Sequence, residues 1–258
     1  LTSKAKLIGE GSRPLICAPV IGDSRAAVLA ELESVLAKGP DAVEWRADFF
    51  GGIAATAEVL ELARAIRERA PDATLIFTIR STREGGQRIP LSDRQAVELT
   101  AEICREGSFQ YVDCELSNAP CDVEFLRGVA REGDTRIIAS FHDFDRTPEA
   151  PFLVAKLREA ERLGLDVAKV AVMPHSLKDV LTLLQATLEA RESMGIPLIT
   201  MSMGSYGAVS RLVGGLFGSA VSFAVGQNCS APGQVPIGDL RLVLEILERS
   251  GGQGGKPA

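Results

Sequence analysis

The stretch DVAKVAVMPHSLKDVLTLLQATLEARESMGIPLITMSM, residues 166–203, joins two short apolar runs through a segment of a different period. VAKVAVMP (167–174) and PLITMSM (197–203) are rich in β-branched and bulky residues and too short for helices. Between them, SLKDVLTLLQATLEARESMG places apolar residues three and four apart and ends on a glycine, the pattern of an amphipathic helix with its stop signal. Strand, helix and strand in that order predict a parallel pair joined by a crossover.

The same alternation extends in both directions. Upstream lie LICAPVI (15–21), AVEWRAD (42–48), TLIFTIR (74–80), FQYVDCEL (109–116) and RIIASFHDF (136–144), and downstream VSFAVG (221–226). Helical segments such as SRAAVLAELESVLAKG and TAEVLELARAIRERA separate them. Eight βα units in a chain of 258 residues predict a (β/α)₈ TIM barrel, closed so that no strand edge is exposed, with an open doubly wound sheet as the rival. KLIGEGSRPLI, with its Gly9 to Gly11 turn, reads as a hairpin-like opening. No linker-like stretch divides the chain, so a single catalytic domain over 1–258 is expected, with SGGQGGKPA a flexible tail from about 250.

Composition narrows the function classes. The formal net charge is -6 and no block of Lys or Arg follows the chain, which gives no nucleic-acid footprint. Apolar stretches break well short of the roughly 18 to 20 residues that a membrane span requires, and the N-terminus does not resemble a signal peptide. Five cysteines, odd in number and without a C-x-x-C pair, argue against a disulfide framework and a zinc site, and a reducing cytoplasm is the expected setting.

Strand parity sorts the polar residues. Alternate residues face the same way, so Glu44, Arg46 and Asp48 share one face while Val43 and Trp45 share the other. The same test groups Thr78 with Arg80, Asp113 with Glu115, Ser140 with His142, and Lys169 with Ala171 and Met173. The opposite faces are apolar, as faces packed on helices are, so the polar set looks into the barrel. Most of it falls late in the strands, at the mouth where barrel enzymes build their sites. Glu44, Arg46, Arg80, Glu115, His142 and Lys169 thus surround one cavity, either as a site or as a structural ion-pair network.

An inward lysine is either an ion-pair partner or a nucleophile. Burial and neighbouring cations such as Arg46 or Arg80 would favour the neutral amine, which attacks a carbonyl to form a Schiff base. The protonated imine acidifies the adjacent carbon and makes elimination or C–C cleavage feasible. Of the two histidines, His142 in SFHDF suits proton transfer, whereas His175 in MPHS suits a cap or surface role. Asp143 faces away from the His142 ring and is expected to anchor a loop; Glu84 of STREGGQ could reach the imidazole instead. The late loops MSMGSYGAVSR and NCSAPGQVP suit anion binding, and Arg211 supplies a fork for a carboxylate or else sits on a helix surface. GSYG lacks the glycine two places before the serine that a hydrolase elbow needs, since that residue is Met203.

VEWRAD, FTIRSTREGGQ, YVDCEL, SFHDF, AKVAVMP, ITMSMG, SRLVGGLFGSAVSF and SAPGQVPIGDLR resemble, in order and spacing, the type I 3-dehydroquinate dehydratases, from about Leu7 to Leu247. The resemblance implies a (β/α)₈ barrel whose lower end is closed by a β-hairpin, and dehydration of 3-dehydroquinate to 3-dehydroshikimate in the shikimate pathway without metal or cofactor. It implies that Lys169 forms the imine, that His142 acts as general base and acid, and that Glu84 pairs with it. Glu44, Arg46 and Arg80 fall on substrate-hydroxyl and site-organising positions, Arg211 on the carboxylate-binding position, and Ser230 and Gln234 on the closing loop. Many relatives are dimers, so a homodimer is expected. A class I aldolase-type barrel would share the fold and Lys169 but not the SAPGQ lid or the EWR strand. A metal-dependent barrel isomerase would use Glu44, Glu115 and His142 as ligands, and a single inward histidine among arginines makes a poor cation site. A catalytically silent binding barrel is weighed against by the intact lysine and histidine.

Overall fold

The computed structural model of the chain describes residues 5–226 and 233–251. Within them, strands and helices alternate: β1 (Leu15–Val20), α1 (Arg25–Leu36), β2 (Ala42–Arg46), α2 (Thr56–Arg69), β3 (Thr74–Thr78), α3 (Asp93–Glu106), β4 (Tyr111–Glu115) and α4 (Pro120–Glu132). The second half repeats the pattern with β5 (Arg136–Asp143), α5 (Ala150–Arg162), β6 (Val167–Val172), α6 (Leu177–Ser193), β7 (Leu198–Ser202), α7 (Gly204–Phe217) and β8 (Val221–Val225). A two-residue strand, β9 (Val235–Pro236), and α8 (Ile237–Gly251) complete it. All eight expected strands form. Their hydrogen-bonded order is β7-β6-β5-β4-β3-β2-β1-β8-β9, and every pairing is parallel.

The barrel closes between β7 and β8 by a different device from its other seams. Ala220 N–H donates to Leu198 O at 2.6 Å, and the Ser219 hydroxyl accepts from Thr200 N–H at 3.0 Å. A side chain thereby replaces a rung of the ladder, and the upper part of this seam stays open to a residue arriving from outside.

Strand parity divides the core as the sequence indicates. Leu15, Cys17, Ala42, Ile76, Tyr111, Ile138, Val167, Ile199 and Val221 fill the lower barrel interior. Their strand neighbours Ile16, Val43, Leu75, Phe77, Val112, Ile137, Ala168 and Val170 join the helices in the outer layer. Trp45 anchors that layer, with its ring centroid 5.4 Å from Phe77, 6.0 Å from Phe50 and 6.2 Å from Phe109. Helix starts are set by local chemistry: Ser92 with Gln95 and Ser176 with Asp179 form capping boxes, and Ser24 caps α1. Pro120 and Pro151 occupy first turns, where their missing N–H is no loss.

The lower end is closed as expected but by a turn rather than by paired strands among the described residues. Ile8 is buried in the barrel floor, its N–H donating to the Tyr111 hydroxyl at 2.9 Å, while Lys6 O accepts from Thr74 Oγ1 at 2.5 Å. Glu10 N–H closes the turn onto Leu7 O at 3.0 Å, with Gly9 and Gly11 at φ 92° and 103°. A hairpin ladder fails here because Pro14 has no N–H to give and Leu15 N–H is already spent on Ala220 O at 2.9 Å.

Candidate active site

Lys169 lies at the third position of β6, 4% exposed, with its stem rising inside the barrel. Its Nζ is 3.3 Å from Glu44 Oε1 on β2 and 3.3 Å from Asp113 Oδ2 on β4, and 4.8 Å above the Phe223 ring centroid. These partners answer how an ammonium is tolerated there: two carboxylates and a π-face offset its desolvation. Arg46 is turned to Asp48 and Arg80 shares Asp113 Oδ2 with Lys169, so the groups in direct contact with Nζ are carboxylates and a ring rather than the neighbouring cations.

Arg80, two residues past the end of β3, is the hub. Its guanidinium donates to Asp113 Oδ2 at 2.8 Å, Glu115 Oε1 at 3.0 Å and Ser140 Oγ at 2.9 Å. Burial alone would lower its pKa, but Asp113, Glu115 and Glu84 outweigh that and hold it above the ordinary arginine value. Burial likewise works against an ionised Asp113, yet Arg80 and Lys169 bring its carboxyl down to about 2. Arg46 is gripped bidentately by Asp48, both contacts at 2.8 Å, and Gln87 N–H also donates to Asp48 Oδ2 at 3.1 Å. Asp48, the next inward residue by parity, therefore aims Arg46 and ties down the loop that carries Glu84.

His142 and Glu84 meet at the rim. Glu84 Oε2 is 2.8 Å from His142 Nδ1 and accepts from His142 N–H at 3.1 Å. Burial, and next the repulsion from Glu115, raise the Glu84 carboxyl to about 7. Burial, and next the charges of Arg80, Lys169 and Arg46, push His142 well below the ordinary imidazole value. The ordinary order of carboxyl and imidazole is thereby inverted, so that Glu84 holds a proton more readily than His142 does. Phe144 stacks on the imidazole at 6.5 Å between centroids, 24° between planes.

Arg211 belongs to α7, outside the sheet, yet lines the same cavity. It is 2% exposed, with its Nη1 3.5 Å from Met201 Sδ on β7 and donating to Phe223 O on β8 at 3.3 Å. It enters through the open upper part of the β7–β8 seam. The helix-surface alternative for Arg211 is thereby set aside.

The cavity brings together Glu44, Arg46, Arg80, Glu84, His142, Lys169, Arg211 and Gln234. Of the expected residues, Ser230 lies outside the described residues. Glu115 turns to Arg80, Ser81 N–H and Ser117. His175 stays on the surface, where its N–H donates to Asp179 Oδ2 at 2.7 Å, and Asp143 anchors its loop by accepting from Asp145 and Arg146 N–H at 3.0 Å each. Ala171, grouped with Lys169 by parity, lines the cavity too, as do Phe144, Met201, Met203 and Phe223, to which the sequence reading gives no place in it. Met201 and Phe223 share the inward parity of their strands, and parity alone is the signal that could find them. Among the described residues, no group of three or more His, Cys, Asp or Glu is placed to hold a metal ion.

A family model described as Type I 3-dehydroquinase matches residues 16–250. The 3-dehydroquinate dehydratase of Aromatoleum aromaticum is 54% identical over 250 residues, 97% of this chain and 96% of that protein. That of Geobacillus thermodenitrificans is 52% identical, covering 92% of each. Among solved structures, the 3-dehydroquinate dehydratase of Geobacillus kaustophilus superposes with a TM-score of 0.93 at 50% identity, covering 96% of each chain. The type I 3-dehydroquinate dehydratase of Clostridium difficile, solved with covalently modified comenic acid, gives 0.91 at 37% identity, covering 97% of this chain and 98% of that one.

Proposed function

The chain belongs to the type I 3-dehydroquinase family, hydro-lyases that convert 3-dehydroquinate to 3-dehydroshikimate, and from that premise we propose how its own residues carry the reaction. Lys169 Nζ attacks the substrate ketone, and loss of water from the adduct leaves a protonated imine. His142 Nε2 removes a proton from the carbon beside the imine. The electron pair released there expels the β-hydroxyl, which departs as water with a proton returned by His142. Hydrolysis of the imine then frees the enone product and the amine.

One observation carries this reading: Lys169 and His142 share one cavity from adjacent strands, with Ser140 opposite Lys169 in the register and His142 opposite Ala171. The backbone of His142 is thus two residues beyond the level of Lys169 along the sheet, toward the barrel mouth, which supports an imidazole acting on a carbon next to the imine. Before attack, Nζ must lose a proton, and Glu44 Oε1 is in reach at 3.3 Å. Asp113, tied to Arg80 and Ser140, remains as counter-ion to the imine. Arg211 pairs with the substrate carboxylate, Arg46 and Glu44 hold hydroxyls, and Gln234 contacts the substrate from the same cavity. The aldolase-type reading shares the amine but has no use for a carboxylate-binding arginine threaded through the wall.

Incubation with 3-dehydroquinate followed by borohydride reduction and peptide mass mapping tests the reading. A stable adduct on Lys169, formed equally in the presence of a chelator, is expected. No adduct, or activity lost to the chelator, would falsify it.

No helix of the described residues is long and apolar enough to cross a membrane. We place the enzyme in a reducing cytoplasm on the unpaired state of Cys17, Cys104, Cys114 and Cys121. Self-association is proposed from the exposed apolar side chains of neighbouring α6 and α7, Leu177, Leu181, Tyr206, Val209 and Leu216, and sedimentation equilibrium tests it.

A further inference from the structure

The two oxygens of Glu84 have different surroundings. Oε2 faces His142 twice, through Nδ1 at 2.8 Å and the backbone N–H at 3.1 Å, with Arg80 Nη1 at 3.7 Å. The backbone N–H and Arg80 Nη1 are fixed donors, so Oε2 is the oxygen that accepts, and the role of Nδ1 follows from the tautomer. Oε1 meets the hydroxyl of Ser117, in the loop after β4, at 2.9 Å. The same hydroxyl lies 3.3 Å from Glu115 Oε2, and the other Glu115 oxygen is held by Arg80 at 3.0 Å and Ser81 N–H at 2.8 Å.

A hydroxyl has one proton to donate and lone pairs with which to accept. Between two carboxylates it has two settings. It donates to Glu84 Oε1 when that group is ionised. When Oε1 of Glu84 carries a proton, the hydroxyl accepts a hydrogen bond from it and donates its own to Glu115 Oε2. The distinction matters to His142, because its Nε2 is free to take a proton only while Nδ1 carries one and donates it to Oε2. A proton on Oε2 would drive the imidazole into the opposite tautomer, with Nε2 already occupied.

Building on the acid–base role given to His142 above, we propose that Ser117 is a positioning residue that fixes the His142 tautomer by keeping any Glu84 proton on Oε1. The need for such a device follows from the surroundings of the pair. Glu84 is faced by Arg80 from the end of β3, by Asp113 and Glu115 from β4 and by His142 from β5, and its carboxyl takes up a proton at about 7. His142 is faced in addition by Lys169 from β6 and Arg46 from β2. Glu84 therefore changes state near pH 7, and without an acceptor at Oε1 each change would reset the histidine.

The test combines Ser117→Ala with Ser117→Thr. For the wild type, kcat should be flat through the range near pH 7, and ¹⁵N-labelled imidazole should show the Nδ1–H tautomer on both sides of it. In Ser117→Ala, kcat should fall by roughly three- to tenfold on the acid side of that range, the worth of one hydrogen bond. The Nε2–H tautomer should grow in step, with KM unchanged, and Ser117→Thr should restore both. An Ala variant with the wild-type profile and tautomer overturns the inference, as does a loss of equal size at every pH. If His142→Ala itself turns over normally, the underlying assignment of His142 has failed instead.

Discussion

Arg80 and Asp113 form an ion pair at 2.8 Å in which both side chains are almost fully enclosed, 4% and 0% exposed. Three residues along the chain, Arg83 and Asp93 form a pair of nearly the same length, 2.9 Å, with 49% and 63% exposure. Distance does not separate them, but desolvation does. Removing one partner of an enclosed pair leaves the other uncompensated and costs about 3 to 5 kcal/mol, whereas an exposed pair is worth about 0 to 1 kcal/mol. Urea unfolding of Asp113→Ala should show the first loss and Arg83→Ala the second. Equal losses would mean that water reaches the Arg80 hub and that Asp113 is no fixed counter-ion for Lys169.

Glu84 predicts a variant that is more stable and less active. Its folded-state pKa, about 7, lies above the ordinary 4.5. For a raised pKa, the stability from binding the proton is fully present below 4.5 and is lost as pH rises through 7. Gln at this position never ionises and escapes that loss. Glu84→Gln should therefore match the wild type at low pH and exceed it by on the order of 2 kcal/mol above neutrality, while turnover falls. Urea melts at acidic and alkaline pH measure the difference, and curves that stay parallel count against the raised carboxyl.

Gly85 sets the height of the Glu84 loop. It has φ +80°, and a Cβ there would stand 2.4 Å from the Phe144 ring that stacks on His142. Gly107 has φ +79° with nothing within 4 Å. Ala at either site costs about 1 to 2 kcal/mol of backbone strain. Only Gly85→Ala should also displace Phe144 and lower kcat. Similar melting losses with a kcat loss confined to Gly85→Ala is the expected result, and matching kcat values would detach Phe144 from the imidazole's placement.

The contrast between what parity found and what it missed has a physical origin. A strand residue's direction is fixed by its backbone, so Glu44, Arg46, His142 and Lys169 face the cavity as their spacing indicates, and Arg80, two residues past β3, keeps the same parity. Partner choice is not fixed by spacing. That Arg80 serves Asp113 and Glu115, leaving Lys169 to Glu44 and Asp113, depends on the register between strands, which the pairing Glu44 with Ile76 and Asp113 with Ile138 establishes only in three dimensions. Glu84 and Arg211 are on a loop and a helix, where no period aims a side chain at the barrel, so residue chemistry offers them only as candidates and the family resemblance singles them out. No hairpin ladder forms among the described residues, because Pro14 has no N–H and that of Leu15 is committed to Ala220.

Arg211 offers the sharpest separation between binding and chemistry. Its backbone sits on α7, with Ser222 Oγ donating to Arg211 O at 2.7 Å, and its guanidinium passes between Met201 and Phe223 into the cavity. A planar fork delivered through a wall suits a carboxylate, and a lysine of similar reach offers a point charge without the two parallel donors. Arg211→Lys should raise KM by roughly tenfold or more and change kcat far less, since Lys169 and His142 are untouched. An analogue of the substrate lacking the carboxylate should bind wild type and variant alike, because the interaction removed is the one it cannot make. If the variant instead loses kcat at constant KM, or discriminates equally against the analogue, the arginine's task lies in holding the β7–β8 seam and not in gripping the substrate.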